Sequence, residues 1–480
     1  GTWMGRNEYG HTHFKSSFVT ATRMLPGGAR GRDHCGCATA TVPGRYLWWY
    51  NGHPPTAKIL TAHAKSWLED TLRATKEKPA GIIPAEVQFE TDKLFNKYQS
   101  KPLILDMFAA LYGLTDDDEY LEPFRALLRD KIAIGGPKWA LTHSLNYVQY
   151  RILTGDTKYD EQLRSMAAER YDAIRADDFH QRGIEVVEGQ TLFPWIVDHR
   201  NDDLLEILRF VIRNNRRSFF AYCPSDPPTD RVYPWGRAIL PVVMLGGRLF
   251  DGRAADPLPS AAFLWEGIDT DVVSMVFERA PSELKMLVYN FKAEPVKAGL
   301  RAVQLPEGRY RLATALDKDG DRKPDAAPDA REVRFRRFTP TPLTIPSRQP
   351  LWVELKLLKK RPAGLLPDLA VTLAEPVGEN GRVLARIHNL GCVPASNVLV
   401  RLMSGAHVLA EGTVPALPGL TSYAPSFIDV PLTGPKGGDP STWRLAVDPQ
   451  QAIEEINEAN NAYPLSQGVP PPVESAKGKP

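Results

Sequence analysis

Long apolar runs are missing from the 480-residue chain. None approaches the roughly 18 residues that a membrane-spanning helix needs, so no segment is expected to cross a bilayer. An excess of one charge sign is missing too. The chain has 59 Lys and Arg against 57 Asp and Glu, a net charge of +2, which gives no field for nucleic acid or an anionic membrane surface. Cysteine is scarce, with only Cys35, Cys37, Cys223 and Cys392. A chain this long has no need of disulfide staples, so the four say nothing about compartment. The run "HCGC" (His34–Cys37) has no matching second pair, and no C-x-x-C occurs, which favours buried thiols over a zinc site. The opening residues, "GTWMGRNEYGHTHFK", lack the apolar stretch of a signal peptide and a starting Met. The chain is therefore expected to begin inside a domain, as a C-terminal fragment of a longer protein.

What is present is ordinary globular material, 43% hydrophobic and 24% charged. Its length predicts about two to four domains. Residues 1–252 have a helical period. Apolar residues recur at three- to four-residue spacing in 56–75, 102–115, 120–133, 139–155, 158–174, 202–220 and 235–250, between connections rich in Gly, Pro, Asp and Asn. The stretch 111–128 is echoed in 149–166: a helix end, a Thr/Asp turn, a Tyr, then another helix. Such a repeat predicts stacked helical hairpins. Residues 253–362 switch to short alternating runs, at 271–280, 283–293, 297–305, 308–317, 330–338 and 351–360. These predict an antiparallel β-sandwich. A second β-module is expected at 363–467, and the Pro-rich 468–480 as a disordered tail.

The candidate chemistry lies mainly in loops, where aromatic and ionisable side chains are costly unless they line a site. In "EYGHTHFK", His11 and His13 are two residues apart, so an extended backbone puts both rings on one face. They are candidates for hydrogen bonding to substrate, or for a metal with a third ligand from His34 or Glu90. In "LPGGARGRDHC", Arg32, Asp33 and His34 are expected to converge, with Asp33 orienting His34 as a base and Arg32 binding a substrate carboxylate. The loop lacks the Lys-Ser/Thr of a phosphate loop. "RYLWWYNGH" offers Trp48, Trp49, Tyr50, Asn51 and His53, the aromatic planes and polar partners that a sugar ring requires. Three consecutive rings cannot share one buried face, so one Trp is expected in the core and Tyr50, with Trp49, at a cavity mouth. "TLFPWIVDHR" adds Trp195, His199 and Arg200, and "VYPWGRA" adds Trp235 and Arg237. Carboxylates are supplied by Glu86, Glu90, Glu188 and Asp198. A glycosidase needs two of these at about 5–9.5 Å. An eliminating enzyme needs a Tyr or His base, and a partner for the enolate charge. The Tyr/His/Arg-rich loops tilt the reading to elimination, with His34, Tyr50, His53 and His199 as the acid–base set. In "LDKDGDRKPD", Asp317, Asp319, Asp321 and Asp325 offer oxygens to Ca²⁺, with a solvated turn as the alternative. Pro328 stands where an EF-hand would carry its closing Glu.

Two resemblances bear on these segments. The Y-x-x-x-TGD-x-x-Y hairpin at 150–159 resembles those of (α/α)-toroid carbohydrate-active enzymes, both polysaccharide lyases and glycoside hydrolases. The resemblance covers roughly 1–250 and implies a toroid that seven or so helices would leave incomplete. Residues 366–466 strongly resemble the CARDB domain, a bacterial cell-adhesion-related module. The matching residues are Pro367, Asp368 and Leu369, then Asn389 and Gly391, then Asp448, Pro449, Glu455, Asn457, Glu458, Asn460 and Asn461. That resemblance implies an immunoglobulin-like sandwich, usually on exported bacterial proteins.

The expectation is thus a multidomain α + β chain: an α/α-toroid followed by two antiparallel β-sandwiches, the last Ig-like. It would be secreted or cell-surface, or periplasmic, and would act on a polysaccharide or cell-surface glycan without nucleic acid or a required cofactor, Ca²⁺ being structural. Elimination on a uronate-containing glycan is the first function. Hydrolysis by a carboxylate pair is the second, and glycan binding or adhesion without catalysis is the third.

Overall fold

A computed structural model describes residues 3–19, 21–25, 28–76, 78–95, 103–129, 150–164, scattered positions between 195 and 246, 261–361, 365–378 and 380–470. At the N-terminal end β1 (Met4–Arg6) and β2 (Thr12–Phe14) form an antiparallel hairpin. Asn7 closes its turn: the Oδ1 atom accepts from the backbone N–H groups of Tyr9 and His11, and Gly10 takes the left-handed conformation, φ +89°, that glycine tolerates best. A second small sheet orders β3 (Arg32–His34), β4 (Glu86–Gln88) and β5 (Leu94–Phe95), all antiparallel. Strands of two or three residues are too short for alternation to register in a sequence, and none of the five was expected.

The helical period is borne out where it is strongest. Helices α2 (Pro54–Leu72), α3 (Leu103–Thr115) and α4 (Glu122–Arg129) fall on predicted runs, whereas α1 (Val42–Asn51) forms where a loop was expected, its three consecutive aromatic rings spread around the helix instead of lining a loop. Pro54 and Pro55 stand at the start of α2, where missing N–H groups cost nothing. At its other end the buried Lys78 ammonium donates to the carbonyls of Thr71 at 2.8 Å and Arg73 at 2.7 Å, a cation on the negative end of the helix dipole. Burial lowers the Lys78 pKa to about 8. Leu60, Trp67 and Leu68 of α2, most of α3, and Phe124 and Leu127 of α4 are buried. Further helical residues lie at 150–154 and 160–164. A closed ring of hairpins is not shown among the described residues, and most of 165–250 lies outside them.

The β-period forms a sandwich. Strands β6 (Phe263–Glu266), β7 (Val272–Ala280), β8 (Glu283–Asn290), β9 (Val296–Ala302), β10 (Gly308–Leu316), β11 (Asp329–Phe335), β12 (Thr341–Ile345) and β13 (Leu351–Lys360) make two antiparallel sheets, ordered β11-β10-β13-β8-β7 and β12-β9-β6. Inward residues such as Leu284, Met286 and Val288 of β8 alternate with less buried ones, and they share a core with Leu300, Leu312 and Val353. The four residues of β6 and the Pro-bearing β12 were not expected.

The C-terminal module pairs β14 (Leu369–Leu373), β15 (Arg382–Asn389) and β18 (Ser426–Thr433) in one sheet. The other holds β16 (Ala395–Ser404), β17 (His407–Leu417), β19 (Trp443–Val447) and β20 (Ala462–Pro464), in the order β17-β16-β19-β20. Trp443, Val398, Val400, Ile387 and Leu445 lie in the core between them. The chain divides into two units: residues 1–46 with 59–361, and residues 47–58 with 362–480. No described helix is long and apolar enough to cross a membrane.

Candidate functional site

The first unit holds a cluster of histidines and carboxylates that four chain segments build. Strand β3 alternates, so Asp33 is buried while Arg32 and His34 on either side are only partly so. The hairpin turn presents His11, and β2 presents His13. Helix α2 carries His63, Trp67 and Asp70 on one face, at spacings of four and three residues, and Glu69 beside them. Asp92 comes from the turn between β4 and β5, where it takes the left-handed conformation at φ 54°. Asp adopts that conformation more readily than most residues.

Asp33 Oδ2 is the hub. His13 Nδ1, His63 Nε2 and Trp67 Nε1 each lie 3.0 Å away, and the Phe14 N–H lies at 3.2 Å. Burial would raise the Asp33 pKa, but His63 and His13 hold it well below the usual carboxylate range. Burial would likewise lower that of His13. The flanking carboxylates of Asp33 and Asp70 outweigh burial and raise it to about 9. On the other edge of the ring, His13 Nε2 is 3.2 Å from Asp70 Oδ2. The approach is too oblique for a hydrogen bond, and both atoms are buried without one.

His11 forms the rim. Its Nδ1 meets Asp92 Oδ1 at 2.9 Å, and its Nε2 meets Glu69 Oε2 at 2.9 Å. Asn7 donates to the same Asp92 oxygen at 2.9 Å, and the Asp92 pKa falls because the Asn7 and His11 contacts overcome burial. Arg73 donates to Asp70 Oδ1 at 2.6 Å and lies 2.9 Å from Asp92 Oδ2. Glu69 is 65% exposed and Arg73 39%, whereas the Asp70 and Asp92 side chains are 0% and 2% exposed. Only the rim meets solvent.

Of the residues singled out from the sequence, the cluster gathers His11, His13 and Asp33. His34 is not paired with Asp33, because strand alternation turns the two apart; its Nδ1 accepts from the Gly36 N–H at 2.9 Å. Arg32 bonds Glu86 at 2.6 Å and stacks on Phe95, Glu90 is exposed, and Cys35 and Cys37 are buried thiols. Trp48, Trp49 and Tyr50 are all half-buried, rather than one core ring beside two open ones. The polar groups of that stretch serve the second unit. The Tyr50 hydroxyl donates to Asp368, Asn51 donates to the Leu390 carbonyl at 2.7 Å, and His53 Nδ1 meets Thr56 at 2.7 Å while its ring packs against Tyr423. Trp195 is buried and Arg200 exposed, and Asp198 pairs with Arg164 at 2.8 Å. Glu188, His199, Trp235 and Arg237 lie outside the described residues.

In the acidic loop, the Asp317 oxygens accept from the Gly320 and Arg322 N–H groups at 2.8 and 2.9 Å. Asp325 accepts from Lys318 and Asp319 from Asp321. Oxygens of Asp317, Asp319 and Asp325 come close enough to share an ion, and Asp321 is not among them; its Oδ1 accepts from Lys323 N–H. His63, Trp67, Glu69, Asp70 and Asp92 were not singled out from the sequence. The available signal was a His and an Asp on the face of α2 that also carries Leu60 and Trp67.

Three solved structures resemble the chain weakly. A β-porphyranase of glycoside hydrolase family 86 from the human gut bacterium Bacteroides plebeius is 10% identical, over 34% of this chain and 31% of that one, with a TM-score of 0.11. A family GH127 β-L-arabinofuranosidase from Geobacillus stearothermophilus T6 is 12% identical, over 83% and 76%, with a TM-score of 0.26. Red sea bream transglutaminase is 11% identical, over 38% and 29%, with a TM-score of 0.15. At such TM-scores none of them decides fold or function for this chain, which spans less than a third of the porphyranase and of the transglutaminase. A search of the curated proteins found no match. Residues 366–464, by contrast, match the CARDB family model. The two antiparallel sheets built from β14–β20 are therefore a CARDB domain.

Proposed function

We propose that the chain is an exported glycan-degrading enzyme that cleaves a uronate-containing polysaccharide by β-elimination at the rim of the His/Asp cluster. The observation that carries this reading is the Glu69–His11 pair, with Arg73 beside it. Glu69 is the one carboxylate of the cluster open to solvent, while Asp33, Asp70 and Asp92 are sealed. A hydrolase built here would lack its second accessible carboxylate. Elimination needs one base and nearby donors. Glu69 takes the proton α to the uronate carboxylate. Arg73 and the His11 N–H stabilise the developing enolate. The electron pair closes the new double bond as the C–O bond to the leaving sugar breaks, and the leaving oxygen takes a proton from solvent water at the open rim. The same proposal takes the helices of 1–252 as hairpins of an (α/α) toroid.

The test is absorbance at the unsaturated-uronate band over a panel of anionic polysaccharides, with reducing ends counted in parallel, for the full chain and Glu69→Gln. A band that falls at least 100-fold in the variant supports the proposal, a loss within the span of a general base. Reducing ends without the band would mean hydrolysis. A second reading, glycan binding without chemistry, is favoured by the CARDB domain. Polysaccharide retention with neither signal would establish it.

A further inference from the structure

We propose that His11, His13, Asp70 and Asp92 bind a divalent first-row metal ion of the zinc class. The inference stands on ligand geometry and does not depend on the glycan reading.

The first argument is the tautomer of His13. Its Nδ1–H points at Asp33 Oδ2, 3.0 Å away. The ring therefore turns the Nε2 lone pair towards Asp70 Oδ2 at 3.2 Å. Both atoms are fully buried and neither has a hydrogen bond. Out of water these two groups need a cation between them, either a proton on Nε2 or a metal ion that displaces it. A proton there would sit off the line to the oxygen, whereas a metal ion accepts both lone pairs at an angle.

The second argument is distance. His11 Nδ1 lies 2.9 Å from Asp92 Oδ1 and 3.7 Å from Asp70 Oδ1. One ligand atom from each of His11, His13, Asp70 and Asp92 falls within 4.8 Å of every other. A tetrahedral ion with bonds of roughly 2.0–2.1 Å separates its ligand atoms by roughly 3.4 Å, so modest movement closes the site. Two imidazoles and two carboxylates suit Zn²⁺ and its first-row neighbours better than Ca²⁺, which takes oxygen ligands.

The third argument is the outer ring of partners, the feature that separates metal ligands from a chance cluster. His13 donates to Asp33. His11 has Glu69 at Nε2, 2.9 Å away, which leaves Nδ1 for the ion. Asp70 is held by Arg73, and Asp92 by Asn7. The neighbouring group of His13, Asp33 and His63 also meets the spacing. There, however, Asp33 Oδ2 already receives N–H groups from both rings and from Trp67, so it is the support rather than the site.

The test uses the full chain, stripped with chelator and titrated with Co²⁺ and Zn²⁺. The expected results are one equivalent bound, visible d–d bands for tetrahedral Co²⁺, and their loss on adding Zn²⁺. Affinity should fall at least tenfold in His11→Gln and Asp92→Asn, and about tenfold in Glu69→Gln, which removes only an outer partner. His11→Gln changes a rim residue and Glu69→Gln an exposed one, so far-ultraviolet circular dichroism can verify that both remain folded. A wild-type chain that binds neither ion overturns the proposal. So does binding that is equally tight in wild type, His11→Gln and Asp92→Asn. Metal binding without eliminase activity would leave this inference standing while the glycan reading fails.

Discussion

Removing the Asp33 carboxylate charge should destabilise the first unit strongly. Asp33 is fully buried, and four N–H groups converge on its Oδ2 from β2, α2 and the backbone of Phe14. Asp33→Asn keeps the shape. It replaces a charged acceptor by a neutral amide and presents an NH₂ wherever the amide turns the wrong way. Hydrogen bonds to a charged group contribute about 1.5–3 kcal/mol each. They share one oxygen and are not additive, so the measured cost of breaking a buried charged network, about 3–5 kcal/mol, is the better guide. At about 2–4 °C per kcal/mol for a unit of this size, the melting transition of the first unit should fall by about 6–20 °C. Differential scanning calorimetry of the full chain resolves this as movement of one transition, with the CARDB transition as internal reference. Trp67→Phe, which removes a single donor, should cost only about 1 kcal/mol. A D33N transition within about 1 kcal/mol of wild type would refute the claim that this oxygen organises the cluster.

Two predictions concern the second unit. Tyr50→Phe removes the donor to the buried Asp368 and should destabilise that unit by about 1–3 kcal/mol, read as the shift of the CARDB transition; an unchanged transition would mean the bond contributes nothing. Glu455 is buried, and burial pushes its pKa up to about 8, although Leu369 N–H and Asn461 donate to it and favour the ionised form. The folded domain then keeps a proton that the unfolded chain loses near its ordinary carboxylate value of 4.5. Between those values the native state binds more protons, so stability must fall as pH rises from 4.5 through 8. Melts at pH 5 and pH 8.5 should show the decline, and Glu455→Gln should flatten it. A slope that is absent in wild type or kept in the variant would count against this assignment.

How far the sequence can be read depends on the range of the forces involved. Local periodicity places α2, α3 and the strands from β7 to β11, because apolar spacing within one element records which face will be buried. The run from Pro367 to Asn461 was enough for the CARDB domain, because its turn residues sit at the ends of strands whose pattern is continuous. By itself the sequence therefore determined where α2, α3, the strands β7–β11 and the CARDB domain fall, and it marked His11 and His13 as a pair on one extended face.

The partners of those histidines were decided by tertiary structure alone. Asp33, His63, Asp70 and Asp92 are up to 81 residues from them, and nothing local distinguishes a carboxylate that will be sealed from one left in water. Asp70 and Glu69 are neighbours in sequence, yet the helical turn of about 100° per residue buries one and exposes the other. Within the second unit, the same long-range packing set the polar groups of Tyr50 and Asn51 on Asp368 and the Leu390 carbonyl. Aromatic composition suggested a sugar platform there, but a hydroxyl takes whichever acceptor the fold supplies, and here the fold supplies Asp368.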